Sequence, residues 1–173
     1  MARSIDRPTV DRLVVEHLPA ALAFATRLTG DADVAEDVVQ ETLCRVLRRW
    51  RGYRGEAEFK TWLFQIVLNV DRDRRRRVRR ERPLPSAPMI ARIASPAEQS
   101  AANELDARVR TAIDRLPRRQ REVAVLTYGE GLAPREVACL LKTSEANVHT
   151  CLHLARKRIA RALGMNQLDG KPS

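Results

Sequence analysis

Pro83, Pro85, Pro88 and Pro96, with Ser86 and Ser95 among them, break every hydrophobic period between about residues 82 and 99. Proline fixes its own backbone, offers no amide hydrogen and pushes the preceding residue away from helix. A chain of 173 residues interrupted in this way is not expected to close around one continuous core. Elsewhere glycine is scarce, β-branched runs are short, and Ala, Leu, Arg and Glu dominate, which favours helices. The expected fold class is therefore all-α, with two small helical domains over 8–80 and 100–164. A flexible Pro-rich linker over 81–99 joins them. Each half is near the size at which a single hydrophobic core is only just sufficient.

Residues 1–7 read as a loose end. An apolar pattern at helical spacing then runs from Thr9 to Leu28 and stops at Thr29-Gly30. Asp31 or Asp33 caps a second helix to about Trp50. Its buried arc is Val34, Val38, Val46 and Trp50, with Val39 and Leu43 beside them. Asp37, Gln40, Glu41, Cys44 and Arg48 fall on the opposite side. After a loop marked by Gly52 and Gly55, a third helix carries Phe59, Leu63, Ile66, Val67 and Val70 as its stripe, with Trp62 at the margin.

The second half predicts a helix with Leu105, Val109, Ala112 and Ile113 inward, stopped at Leu116-Pro117. Pro117 suits the first turn of the next helix, which carries Val123, Val125 and Leu126. Gly129 and Gly131 break the chain. Pro134 opens a short helix to Leu141, Lys142-Thr143 turns, and Ser144 caps the last long helix. Asn166 to Ser173 reads as a frayed tail.

Charge is distributed unevenly. Lys+Arg 32 against Asp+Glu 22 gives a formal net charge of +10, and the twelve residues from Asp71 to Arg82 supply +5 of it through eight arginines and three acids. Such clustering points to a polyanion, and without a membrane-type segment nucleic acid is the better candidate. A solvated helix end complementing the helix dipole is the plainer reading, but eight arginines far exceed what a dipole needs. Of the nearby aromatics, Phe59, Trp62 and Phe64 are mostly explained by packing. Tyr53, in a glycine-flanked loop, and Asn69, beside the basic run, are the stronger base-contact candidates.

Two further surfaces stand out. A short helix, a tight turn and a capped longer helix is the arrangement that places the second helix in a DNA major groove, although ordinary helical hairpins are common. Val148, Leu152, Ala155 and Ile159 share the expected core face. Ala146, His149, Thr150, His153 and Lys157 share the opposite one. Asp37, Gln40 and Glu41, at i, i+3 and i+4, project together as an acidic patch. In so basic a chain that patch suits either a protein partner with basic residues or plain solvent.

Other chemistry is not signalled. There is no phosphate-cradling glycine loop, HExxH pair or GxSxG elbow, so no enzyme, cofactor or metal is expected. Cys139, His149, Cys151 and His153 do not follow a zinc-finger spacing. Three widely spaced cysteines fit a reducing cytosol better than a disulfide framework. Leu18 to Ala25 is too short a run, and Asp6, Asp11, Glu16 and His17 precede it too closely, for a secretory leader.

Over residues 8–164 the chain resembles the extracytoplasmic-function sigma factors, the smallest class of bacterial RNA polymerase promoter-recognition subunits. The resemblance rests on several stretches in order. They are Ala35-Glu36-Asp37-Val38-Val39-Gln40-Glu41, Tyr53-Arg54-Gly55, Phe59-Lys60-Thr61-Trp62-Leu63, Leu116-Pro117 with Arg121, and Glu136-Val137-Ala138 with Val148. It implies a cytoplasmic, non-enzymatic initiation factor with sigma region 2 over 8–80 and sigma region 4 over 100–164. Asp37, Gln40 and Glu41 would then dock on the core polymerase, formed in part by the beta-prime and beta subunits. Tyr53 and Asn69 would line a pocket for a base flipped from the −10 element. Arg72, Arg74, Arg75, Arg76 and Arg77 would follow the strand backbone. Arg135, Ala146, His149, Thr150, His153, Leu154 and Lys157 would meet the −35 element. The linker would thread toward the polymerase active site, and an anti-sigma factor would hold the protein inactive.

The chain departs from the family where His149, Cys151 and Leu154 replace frequent basic residues, and where Lys142 replaces a turn glycine. The leading alternative is a free-standing helix-turn-helix regulator, which needs a dimerisation surface and a two-fold site. A third is a non-specific RNA-binding protein using the arginine run.

Overall fold

Seven α-helices, a 3-10 turn over Trp50–Gly52 and one π-helical turn account for the secondary structure of the described residues, which are 6–55, 57–81 and 101–165 of a computed structural model. Among them there is no strand. The expected linker beyond Glu81, the extreme N-terminus and the tail from 166 lie outside the described residues. The described helices fall into two compact units, one holding the first three and the other the last four.

In the first unit, α1 (Arg7–Thr29), α2 (Ala32–Arg49) and α3 (Phe59–Glu81) each pack on the other two. The start of α1 is earlier than expected, because the Asp6 carboxylate accepts from the Thr9 N–H and caps the helix. Gly30 ends it with φ +73, a left-handed position that glycine takes without strain, and its N–H closes on the Thr26 carbonyl at 2.9 Å. Asp31 caps α2 by accepting from the Val34 N–H, so Asp33 is only a first-turn acid. The two caps one residue apart turn the chain back sharply and lay α2 along α1.

The core of this unit differs in detail from the periodic reading. Val38, Val39, Val46, Phe59, Leu63, Val67 and Val70 are buried as expected. Phe64 and Leu68 are also fully buried, which widens the α3 stripe, and Ile66 is only half-buried. The cause is that α3 faces two helices rather than one. Phe64 stacks on Phe24 of α1 with ring centroids 4.4 Å apart, while Phe59 and Leu63 join Val10, Ala21 and Val46. Burying such rings contributes roughly 2–3 kcal/mol each. On α2, Ala35 and Thr42 are buried and Val34 and Leu43 half-buried, with the Thr42 hydroxyl donating to the Val38 carbonyl at 2.7 Å.

In the second unit, α4 (Ala101–Asp114), α5 (Arg118–Ala124) and α6 (Pro134–Leu141) each pack on α7 (Glu145–Ala162). Pro117 sits at the cap of α5 instead of inside its first turn. A π-helical turn over Val125–Gly129 continues α5 before the chain reaches α6. Leu105, expected inward, is 50% exposed, and the inward face of α4 is carried by Ala112 with Val109 and Ile113 half-buried. Val123, Leu126, Val137, Leu140, Val148, Leu152 and Ala155 form the core.

The turn between α6 and α7 is set by backbone bonds. The Lys142 N–H donates to the Cys139 carbonyl at 3.2 Å and the Thr143 N–H to the Ala138 carbonyl at 2.9 Å, the paired pattern that ends many helices on glycine. Here the left-handed position, φ +50, is held by Lys142, the one described non-glycine residue with positive φ. A side chain in that region is strained by about 1–2 kcal/mol, part of which a glycine returns by loosening the unfolded chain. Lys142→Gly is therefore expected to stabilise this unit by about 0.5–1 kcal/mol, a rise of a few degrees in Tm. Lys142→Ala, which keeps a Cβ, gives no such gain. Thermal unfolding of the two variants checks it; equal Tm values would remove the claim of strain.

Candidate nucleic-acid and protein interfaces

The acidic patch lies on the outer face of α2, where Asp37, Gln40 and Glu41 are all exposed. Glu41 is not idle. Its carboxylate accepts from the Arg45 guanidinium at 2.8 Å, a bond that holds its pKa below the usual range. The same guanidinium donates to Asp73 on α3, also at 2.8 Å, and the two carboxylates push the Arg45 pKa up, Glu41 first and Asp73 second. Arg45 therefore joins the acidic face of α2 to the basic run of α3. Sequence reading overlooked it, although Glu41 four residues before Arg45 is a favourable helical pair.

The arginine run is less uniform than its sequence. Asp71 is buried, 1% exposed at its side chain, and pairs with Arg75 through two contacts of 2.9 Å. Arg75 also reaches the Leu28 carbonyl of α1 at 3.5 Å. Its position in the run is thus taken up in binding α3 to α1. Arg76, Arg77, Arg79 and Arg80 are exposed, and Arg72 and Arg74 half-buried. Successive turns of α3 place Asn69, Arg72 and Arg76 on one side, together with Trp62 and Gln65. Gln65 was not singled out from sequence. It donates its amide to the Asn69 Oδ1 at 3.4 Å and so lies beside the base-contact candidate, a neighbour that i, i+4 spacing alone identifies.

Tyr53 is half-buried in an aromatic group. Its ring meets Phe59 edge-on at 5.1 Å and Trp62 at 5.2 Å, and its hydroxyl donates to the Ala57 carbonyl at 3.0 Å. His17 stacks on the same Phe59 at 5.7 Å. The loop is thereby tied to the core through Tyr53. A rigid aromatic edge beside an amide pair and a basic helix suits unpaired bases, which stack on rings and pair through their edges.

On α7 the Ser144 hydroxyl accepts from the Asn147 N–H at 3.2 Å and caps the helix. Ala146, His149, Thr150, His153, Leu154 and Lys157 are all exposed, as is Arg135 in the first turn of α6. The Glu136 carboxylate accepts from the Ala133 N–H at 2.8 Å and fixes that turn. The Thr150 hydroxyl donates to the Ala146 carbonyl at 3.0 Å, leaving its oxygen free to accept. His149 Nε2 lies 3.8 Å from Glu145. Cys151 is buried and faces the core, so it does not belong to this outer face.

Behind this surface is a charged cluster that sequence reading missed. Glu122 is buried on α5 and accepts from Arg118 at 2.9 Å and Arg119 at 3.3 Å. Arg119 also donates to the Leu141 carbonyl at 2.9 Å, holding the C-terminal end of α6 to α5. Among the described residues no group of His, Cys, Asp or Glu is arranged to hold a metal, and no helix is long and apolar enough to cross a membrane.

Residues 13–81 match the family described as Sigma-70 region 2, and residues 106–159 match Sigma-70 region 4. The ECF RNA polymerase sigma factor EcfG of Rhodopseudomonas palustris is 30% identical over 159 residues, covering 90% of this chain and 87% of that protein. The ECF RNA polymerase sigma factor SigM of Bacillus subtilis is 30% identical over 153 residues, covering 87% and 93%. Among solved structures, the sigma factor RpoE in complex with the anti-sigma factor NepR from Bartonella quintana shares the fold with a TM-score of 0.72 at 23% identity, covering 91% of this chain and 98% of that one. CnrH, solved with the cytosolic domain of CnrY, has a TM-score of 0.66 at 28% identity, covering 96% and 94%.

Proposed function

This chain belongs to the ECF class of the sigma-70 family, and we propose from that premise which of its surfaces performs each step of transcription initiation. A sigma factor directs core RNA polymerase to promoters and helps open the DNA, so no covalent chemistry by the chain is required. Residues 8–80 act as region 2 and 100–164 as region 4, joined over 81–99. Asp37, Gln40 and Glu41 dock on basic residues of the polymerase. Tyr53 and Asn69, with Gln65 beside them, receive an unstacked −10 base. Arg72, Arg74, Arg76 and Arg77 follow the strand's phosphates, while Arg75 braces the helix that carries them. Arg135, Lys142, Arg156 and Lys157 anchor the −35 duplex through its phosphates, and the exposed face of α7 meets its bases. The work takes place in the cytoplasm.

The observation that carries this assignment is the segregation of charge on the first unit. An exposed acidic face on α2 and an exposed basic helix α3 meet at Arg45, which pairs with Glu41 on one side and Asp73 on the other. In a protein that only bound DNA, Asp37 and Gln40 would face nothing but solvent. The sigma factor RpoE is solved in complex with the anti-sigma factor NepR, and an anti-sigma partner covering the polymerase-docking face is part of the proposal.

The test is promoter-directed transcription by the purified chain mixed with bacterial core polymerase. A free-standing regulator binds DNA alone and initiates nothing. Asp37→Arg, at an exposed site outside the Arg45 network, is expected to weaken polymerase binding about tenfold, or 1.4 kcal/mol, with unchanged Tm. Binding equal to wild type would remove the patch from the interface. Asn69→Ala is expected to lower open-complex formation about tenfold with little change in initial docking, because the base is captured only after strands separate. Permanganate reactivity of unpaired thymines, read alongside a gel-shift assay, distinguishes the two steps.

A further inference from the structure

The outer face of α7 carries an apolar residue that stays partly in water. Leu154 is 39% exposed, whereas Val148, Leu152 and Ala155, which seat the helix, are buried. It follows Thr150 by four residues and precedes Lys157 by three, so the three share one side of the helix. Along the same side lie Ala146, His149 and His153, all exposed. None of the residues at 146, 149, 150, 153 and 154 is a lysine or arginine. The cations of this region, Arg135, Lys142, Arg156, Lys157 and Arg158, are exposed at the start of α6, in the turn and farther along α7.

That distribution separates two tasks. Phosphate contacts need positive charge and carry no direct sequence information, while base edges are read by matched donors, acceptors and apolar surface. The commonest reader of guanine is a guanidinium or ammonium aimed at O6 and N7, which this part of α7 lacks. The major groove offers one apolar feature to a leucine, the 5-methyl group of thymine. An isobutyl group facing cytosine or guanine covers polar edge atoms without replacing their hydrogen bonds, which is unfavourable.

We propose that Leu154 is a specificity-determining residue that packs on the methyl group of a thymine in the upstream promoter element, so that α7 selects an A·T pair there. The inference rests on the reading of α7 as the recognition helix and adds the base chemistry to it. Selection is two-sided: methyl burial favours thymine, and uncompensated desolvation of the edge disfavours a G·C pair.

The experiment starts from random DNA duplexes selected with the full-length chain bound to core polymerase. Each thymine of the enriched upstream element is then replaced singly by deoxyuridine, which removes the methyl and nothing else. At one position the substitution is expected to weaken wild-type binding about fourfold, the effect of one buried methyl-sized group. Leu154→Ala is expected to bind the thymine and uracil duplexes within about 1.5-fold of each other, having lost the surface that senses the methyl. Selection repeated with Leu154→Arg shifts the preferred pair at that position toward G·C. An enriched duplex whose thymines all tolerate uracil equally in wild type and Leu154→Ala overturns the role of Leu154 and leaves α7 as the reader. Failure to enrich any upstream element overturns the reading of α7 itself. The uracil series on the wild-type chain needs no variant to fold.

Discussion

Replacing Arg75 with Met is expected to cost the first unit about 2–3 kcal/mol, while Arg76→Met leaves its stability within about 0.5 kcal/mol. The two side chains are neighbours in one arginine run, yet they answer to different constraints. Arg75 supplies the counter-charge to Asp71, whose carboxylate is almost wholly removed from water, and it also bonds the Leu28 carbonyl. Removing the cation leaves a buried anion that water reaches poorly. The full penalty for such a change is about 3–5 kcal/mol, reduced here because Arg75 is itself 35% exposed. A three-helix unit of this size has only a few kcal/mol to lose. Replacing both members, Asp71→Leu with Arg75→Met, is expected to recover most of the loss, since no unpaired charge remains. Arg76→Met should instead lower the slope of log affinity against log salt by about one phosphate contact. Chemical denaturation and salt titration of the three variants decide the matter. An Arg75 variant as stable as wild type, or a double variant no better than the single, would show that the pair does not brace α3.

Glu122→Ala is expected to destabilise the second unit by about 2–3 kcal/mol. Glu122 is buried at 3% side-chain exposure and accepts from two arginines, of which Arg119 also holds the Leu141 carbonyl. Truncation removes two charge-assisted bonds and releases Arg119, so the end of α6 loses its link to α5 just before the turn into α7. The estimate allows for Arg118 and Arg119 being 40% and 35% exposed and able to rehydrate. Because the two units have separate cores, a two-step melt should lose its second-unit transition to lower temperature while the other stays in place. Upstream DNA protection should weaken, with polymerase binding by the first unit retained. A single transition shifted as a whole would contradict this.

What could be read from the sequence depended on how local its cause was. Helix ends were legible because caps and stops are contiguous signals: Gly30, Asp31, Ser144 and the Leu116-Pro117 break all act within one turn. The outer faces of α2 and α7 followed from a 3.6-residue period. The misses have tertiary causes. Phe64 lay off the expected stripe because α3 packs on two helices, which no single-helix period encodes. Leu105 followed the period of α4 but sits in its second turn, where it stays exposed. The role of Arg75 was masked by composition, since in a run of arginines each looks like the next. Asp71 falls on the same arc as Phe64, so its burial follows only once α3 is seen to pack on two helices; a buried carboxylate four residues before an arginine then has its partner named. Arg45 needed more, because its second acceptor, Asp73, comes from another helix.

The way α7 is mounted has an evolutionary consequence. Its entry is fixed by Ser144 and by backbone bonds of the turn, and its seat is Val148, Cys151, Leu152 and Ala155. The side chains at 146, 149, 153 and 154 support none of this. On the proposed reading of α7 as the recognition helix, a lineage can exchange this outer edge residue by residue, acquiring new target sites while the tool holder stays unchanged.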